Sequence, residues 1–165
     1  MSLEPPSHCP AASPQNGLPI RLTSAQADYL EIIYEEQLKT GVTRGCSIAQ
    51  SAGVTRATVA ATMRSLKALG LIDYEPYGPV QMTDEGLRIG KRLHRSRQVL
   101  ERFFSEVTGL PDAAARRAAQ SHMAAASPES IAVLEALTRF IGEHDKEWHQ
   151  ARKQALLNLT HEVTS

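Results

Sequence analysis

Apolar positions from Thr23 onward recur at helical spacing: Leu30, Ile33, Tyr34 and Leu38 share one face ahead of Gly41, and Thr23 with Gln26 has the pattern of a capping box. An amphipathic helix is predicted there. Its other side carries Asp28, Glu31 and Glu35 at i, i+3 and i+7, an acidic row that is in general a solvated face. A short helix over 47–52 then stops at Gly53, and a second starts near Thr55 with Val54, Val59, Met63 and Leu66 as its buried side. Small Ala49 lets the two helices approach, and Gly53 supplies the tight turn between them. Gly70 closes the second helix. Residues 71–75 then alternate as a strand, 76–79 turn the chain, and 80–82 return it. Helix-turn-helix followed directly by a hairpin is the winged-helix layout, whose second helix enters the major groove while the wing reaches the flanking backbone.

A long helix is predicted from Thr83-Asp84-Glu85 to about Val107, with Leu93, Leu100, Phe104 and Val107 on one face and Arg97 among them. Gly109-Leu110-Pro111 breaks it, and an Ala-rich helix runs to Ala126. Ser127-Pro128-Glu129 opens another helix carrying Ile131, Leu134, Leu137, Phe140 and Ile141, and a last helix holds Trp148, Leu156 and Leu159. So much large apolar surface on the later helices predicts helix-on-helix association and a homodimer. The prolines at 5, 6, 10, 14 and 19 mark a segment too poor in apolar residues to order itself. The expected fold is therefore mainly α, in three parts. Residues 1–21 form a disordered tail, 22–83 a winged helix-turn-helix DNA-binding domain, and 84–165 an all-α dimerisation region.

Composition narrows the class. Apolar residues at 42% and charged residues at 22% suit a folded globular chain rather than a disordered one. Lys+Arg and Asp+Glu are 18 each, so any basic footprint must be local. Cys9 and Cys46 form no CxxC pair, and the N-terminus has neither a charged nor an apolar leader region, which points to the cytoplasm. No apolar run is long enough to span a membrane.

The local footprint lies on the second helix. Thr55, Arg56, Thr58 and Ala61 fall on its first turns, where base edges are read; Arg56 suits guanine, and Ala61 offers only a methyl contact to thymine. Arg64 and Lys67 further along, Arg88, Lys91, Arg92 and Arg95 on the long helix, and Tyr77 in the wing are placed for the flanking backbone. This predicts a sequence-specific DNA-binding regulator that binds a pseudo-palindromic duplex as a homodimer and is not an enzyme. The alternatives are a regulator responding to a metal or small ligand, and a metalloenzyme using Asp28, Glu31 and His122.

Four strings carry a family resemblance: Asp28-Tyr29-Leu30-x-x-Ile33-Tyr34; Val59-x-x-x-Met63-x-x-Leu66-x-x-x-Gly70-Leu71; Gln81-Met82-Thr83-x-x-Gly86; and Leu100-Glu101-Arg102-Phe103-Phe104. Together they resemble the diphtheria-toxin-repressor and manganese-transport-regulator family of dimeric, winged-helix, metal-activated repressors, over about 22–141. The resemblance implies a metal site. Asp28 and Glu31 match acidic ligands of its manganese branch and Glu101 an ancillary one, but the histidine four residues before Glu101 is here Arg97. The family's Cys or Glu, x, x, Glu, His cluster falls on Gln120, Met123 and Ala124, and an ancillary histidine falls on Arg116; a two-residue shift would bring in His122 but still no acid. Two carboxylates and one amide oxygen are a poor set for Mn²⁺ or Fe²⁺, the ions such a site would take, so the expectation is no cofactor. A guanidinium on an apolar helix face needs a partner, so one reading has Arg97 bridging to Asp28, Glu31 and Glu101 in place of a metal ion. A simply decayed site with Arg97 exposed stands ahead of that bridge, and a repurposed metal or ligand site is the third reading.

Overall fold

The computed structural model describes residues 20–75, 78–123 and 125–163, with side chains to residue 158. The proline-rich opening with Cys9, the wing residue Tyr77, Ala124 and the Leu159 side chain lie outside them. Helix α1 (Ser24–Thr40) starts from the expected box: Gln26 N–H donates to Thr23 Oγ1 at 3.2 Å, and Thr23 N–H donates to Gln26 Oε1 at 2.8 Å. Gly41 ends it at φ 72°, a left-handed geometry that glycine adopts without a Cβ penalty.

Strand β1 (Thr43–Arg44), α2 (Gly45–Ala52), α3 (Arg56–Ala68), β2 (Ile72–Tyr74) and β3 (Pro79–Met82) complete the N-terminal unit. The sheet has three antiparallel strands in the order β1-β3-β2, with Thr43 opposite Val80 and Ile72 opposite Met82. β1 was not foreseen, because two residues carry no alternation to read. Leu30, Ile33, Ile48, Met63, Leu66, Leu71 and Val80 are fully buried or nearly so and join α1, α2, α3 and the sheet in one core. Each contributes about 1.5–3 kcal/mol by leaving water. Two expected core positions differ. Leu38 lies on the final turn of α1, beyond its neighbours, and is 64% exposed; Val54 sits in the turn between α2 and α3 rather than on α3's inner side, and is 37% exposed.

Helix α4 (Asp84–Arg102) runs on through a π-helical turn, Phe103–Val107, so the long helix ends where its pattern predicts. α5 (Asp112–Met123), α6 (Pro128–Glu143) and α7 (Asp145–Val163) follow. Ala115 and Ala119 of α5 are buried; Ala119, with Val99, Leu100 and Ile131, forms a second apolar cluster. Small side chains there let α5 lie close to α4. Trp148 of α7 donates its Nε1–H to the Val107 carbonyl at 2.8 Å, tying the last helix to the π turn. Val133, Leu137 and Phe140 on α6 are 66%, 41% and 57% exposed within the single chain. The fold is mainly α, a winged helix-turn-helix followed by a helical region, as expected. Among the described residues no helix is long and apolar enough to cross a membrane.

Candidate nucleic-acid interface and helix junction

Thr55 caps α3, its Oγ1 accepting the Thr58 N–H at 3.3 Å and lying 2.9 Å from Thr58 Oγ1. The cap leaves the first turn of α3 facing outward, with Arg56, Thr58, Ala61 and Arg64 exposed. Arg56 and Arg64 make no ion pair among the described residues. Both line a cleft of about 620 Å³ between α3 and the wing, together with Arg44, Cys46, Tyr74 and Gly78. Arg44 escaped the sequence reading because its place on this face depends on β1 pairing with β3, which sets it opposite Pro79. Lys67 is placed differently from the expectation. Its ammonium donates to the Tyr74 carbonyl at 2.9 Å and pairs with Asp73 at 3.2 Å, so it holds the wing to α3. Of the cations on α4, Arg88 is bound by Glu85 at 2.5 Å and Arg95 by Glu135 at 2.8 Å, while Lys91 and Arg92 make no ion pair among the described residues. The Arg88 hydrogen bond pulls the exposed Glu85 carboxyl below its ordinary range.

The second assembly joins α1, α4 and α5. Arg97 Nε donates to Glu31 Oε1 at 2.6 Å and Nη2 to Asp28 Oδ1 at 3.2 Å, Nη1 bonds Gln120 Oε1, and Gln120 Nε2 donates to Asp28 Oδ1 at 2.5 Å. Glu31 is buried, its side chain 3% exposed and that of Arg97 17%. Burial pushes the Glu31 carboxyl above its usual value, and the Arg97 charge and hydrogen bond draw it back only in part. One expected partner of Arg97, Glu101, and one candidate ligand, His122, make no bond to the assembly. Glu101, four residues on from Arg97, makes no ion pair with it because the guanidinium turns across to α1 rather than along α4. His122 is exposed, its Nδ1 2.8 Å from the Ala118 carbonyl of its own helix and its ring 5.0 Å from Phe104. One residue was overlooked: His94, three before Arg97 and so on the same face of α4, lies 3.3 Å from Glu35 and 3.9 Å from Glu31.

Two family descriptions match adjacent stretches: residues 21–80 match "Iron dependent repressor, N-terminal DNA binding domain", and 83–152 match "Iron dependent repressor, metal binding and dimerisation domain". The chain belongs to the iron-dependent repressor family. This is the family of transcriptional regulators that its motifs resemble. Among curated members of the family, the transcriptional regulator MntR of Salmonella typhimurium is 30% identical over 112 residues, which are 68% of this chain and 71% of the relative. The HTH-type transcriptional regulator MntR of Oceanobacillus iheyensis is 33% identical over 90 residues, 54% of this chain and 60% of the relative. Among solved structures, one described as a manganese-dependent transcriptional repressor complex with manganese superposes with a TM-score of 0.63 at 27% identity over 70% of this chain. IdeR of T. acidophilum does so with a TM-score of 0.60 at 26% identity over 73%. The chain spans about half the length of these two, 53% and 55%.

A metal ion of the kind these names print does not fit the junction of Asp28, Glu31 and Gln120. A guanidinium already sits among those three side chains, donating to all of them, and a divalent cation in the same place would meet it at close range.

Proposed function

We propose that this iron-dependent repressor family member is a homodimeric, cytoplasmic repressor that binds pseudo-palindromic duplex DNA through α3, and that Arg97 does the work of a bridging cation. On this reading 22–83 is the DNA-binding unit and 84–165 the dimerisation region. Arg56 reads guanine, Thr55, Thr58 and Ala61 line the groove, and Arg44, Arg64 and the wing lie along the phosphates. Val133, Leu137 and Phe140 on α6 supply apolar surface of the kind a second copy would cover. The observation that carries the proposal is the Arg97 assembly: one side chain joins the helix leading into the reading head, α1, to α4 and α5. With that link permanent, the DNA-binding form exists without metal.

The test is fluorescence anisotropy with a duplex from the region upstream of the protein's own gene, in excess chelator and then with MnCl₂ at fixed salt. Tight binding in chelator, falling steeply with salt, is expected. Binding that appears only with Mn²⁺ overturns the proposal. In the same assay Arg56→Ala weakens binding by about 1–3 kcal/mol, roughly five- to 150-fold, and relaxes preference at one base pair per half-site. Equal loss across all sequences would make Arg56 a phosphate contact instead.

A further inference from the structure

The acidic row on α1 is longer than Arg97 can serve. Asp28 and Glu31 face Arg97, but Glu35, one turn beyond, does not, and α4 sets His94 opposite that end. His94 Nδ1 is 3.3 Å from Glu35 Oε1 and 3.9 Å from Glu31 Oε1, and one ligand atom from each of the three residues lies within 4.8 Å of both others. Donors bound to one ion at about 2.0–2.2 Å sit at separations of this order. The ring is held rather than loose: it packs 5.6 Å from the ring of Tyr34, and its side chain is 23% exposed.

Nδ1 itself is buried and makes no hydrogen bond among the described residues, because its approach to Glu35 lacks the required geometry. A buried ring nitrogen aimed between two carboxylates without a bond is costly as it stands. An ion in that place would satisfy it. Gln98 lies against the other ring nitrogen, its Nε2 3.0 Å from His94 Nε2. Turned over, that amide would accept the Nε2–H and leave Nδ1 free to coordinate, the support a ligating histidine ordinarily has. Charge agrees. Against the three acids stand Arg97, which pairs with Asp28 and Glu31, and the 71%-exposed Lys39, 3.3 Å from Glu35, which leaves a negative excess.

We propose that Glu31, Glu35 and His94 form a site for a divalent first-row transition-metal ion, one helical turn away from the Arg97 junction and using two residues outside the set the family resemblance implies. One imidazole and two carboxylates suit such ions and leave further positions for water. The ion shares Glu31 with Arg97 and joins the same two helices, α1 and α4, so it adds to a link that is already made. The site does not depend on the proposed DNA-binding role.

Cobalt tests it, since Co²⁺ bound to nitrogen and oxygen donors absorbs in the visible. Tag-free, chelator-treated protein titrated with CoCl₂ is expected to take up one ion per chain with a d–d band and a raised melting temperature. His94→Ala and Glu35→Gln each weaken uptake by at least the ~10-fold that losing an outer-shell partner costs, and His94→Ala changes the band. His149→Ala, which removes an exposed His–Asp pair on α7, leaves both unchanged. Glu35→Gln keeps the shape of a half-exposed side chain, so the test stands even if His94→Ala folds poorly. Absence of saturable uptake overturns the proposal, as does uptake indifferent to both substitutions or lost with His149→Ala. These outcomes are separate from duplex binding in chelator, whose loss would sink the repressor mechanism and leave the metal site standing.

Discussion

Arg97→Ala lowers the stability of the folded chain by about 3 kcal/mol, read as a fall in urea midpoint with an unchanged slope. Removing one partner of a buried pair leaves the other charged and unsatisfied, and among the described residues Glu31, 3% exposed, then keeps only the His94 ring nitrogen nearby, 3.9 Å away and outside hydrogen-bond distance. Glu31→Gln in the Arg97→Ala background recovers most of the loss, because the orphaned charge disappears with it. The pH dependence has a definite sign. A carboxyl whose folded-state pKa lies above its ordinary 4.5 contributes its full share below that value and loses it as pH rises through the folded pKa. Burial already places Glu31 in this class, and without Arg97 its folded pKa moves higher still. The gap between wild type and Arg97→Ala is therefore small near pH 4.5 and widens toward neutrality. In anisotropy without metal, Arg97→Ala loses most of its duplex affinity. Wild-type stability and affinity in Arg97→Ala would remove the junction from the mechanism.

Gly86→Ala costs at least about 3 kcal/mol, above the usual range for an added methyl group, because no side chain can move to make room. A Cβ on Gly86 would overlap the Leu71 carbonyl, backbone against backbone. The same place is stitched by the Thr83 N–H donating to the Leu71 carbonyl at 3.1 Å and Thr83 Oγ1 donating to the Gly70 carbonyl at 2.8 Å. The start of α4 can retreat only by pulling away from the wing. Gly90→Ala serves as comparison, since its Cβ would meet the Met82 Cε at 2.9 Å and the Tyr34 Cβ at 3.0 Å, and the flexible methionine can yield. Urea unfolding of the two variants should rank Gly86→Ala well below Gly90→Ala; equal stabilities would mean the close approach is not needed.

Much of this architecture is legible from pattern because local signals coincide. The capping box at Thr23, glycines at 41, 53 and 70, and apolar spacing through α3 and α4 each place an element without reference to anything distant. The misses share one cause. Val54 is apolar and adjacent to a helix, so spacing reads it as core, but it sits in the turn. Leu38 continues α1's face past the point where the sheet and α2 cover it. β1, two residues long, exists only because β3 runs beside it. Leu137 and Phe140, read as surface for helix-on-helix association, are 41% and 57% exposed in the single chain.

The junction divides in the same way. From the chain's own pattern it follows that Arg97 lies on an inward face of a long helix and that acids recur along α1; the family resemblance adds that the histidine and acid of a metal site are replaced. Only the tertiary structure decided which anions Arg97 meets. Glu101 is nearer in sequence but makes no ion pair with it; Asp28 and Glu31 are nearly 70 residues away and bond it directly. His94 lies three residues before Arg97 and so shares its face, but its relation to Glu35 depends on the register of α4 against α1. Helical periodicity sets the face a side chain takes on its own helix, because backbone hydrogen bonds are local. Which partner stands opposite is set by how whole cores pack, here by Ala119 admitting α5 and by Gly86 and Gly90 admitting the neighbours of α4.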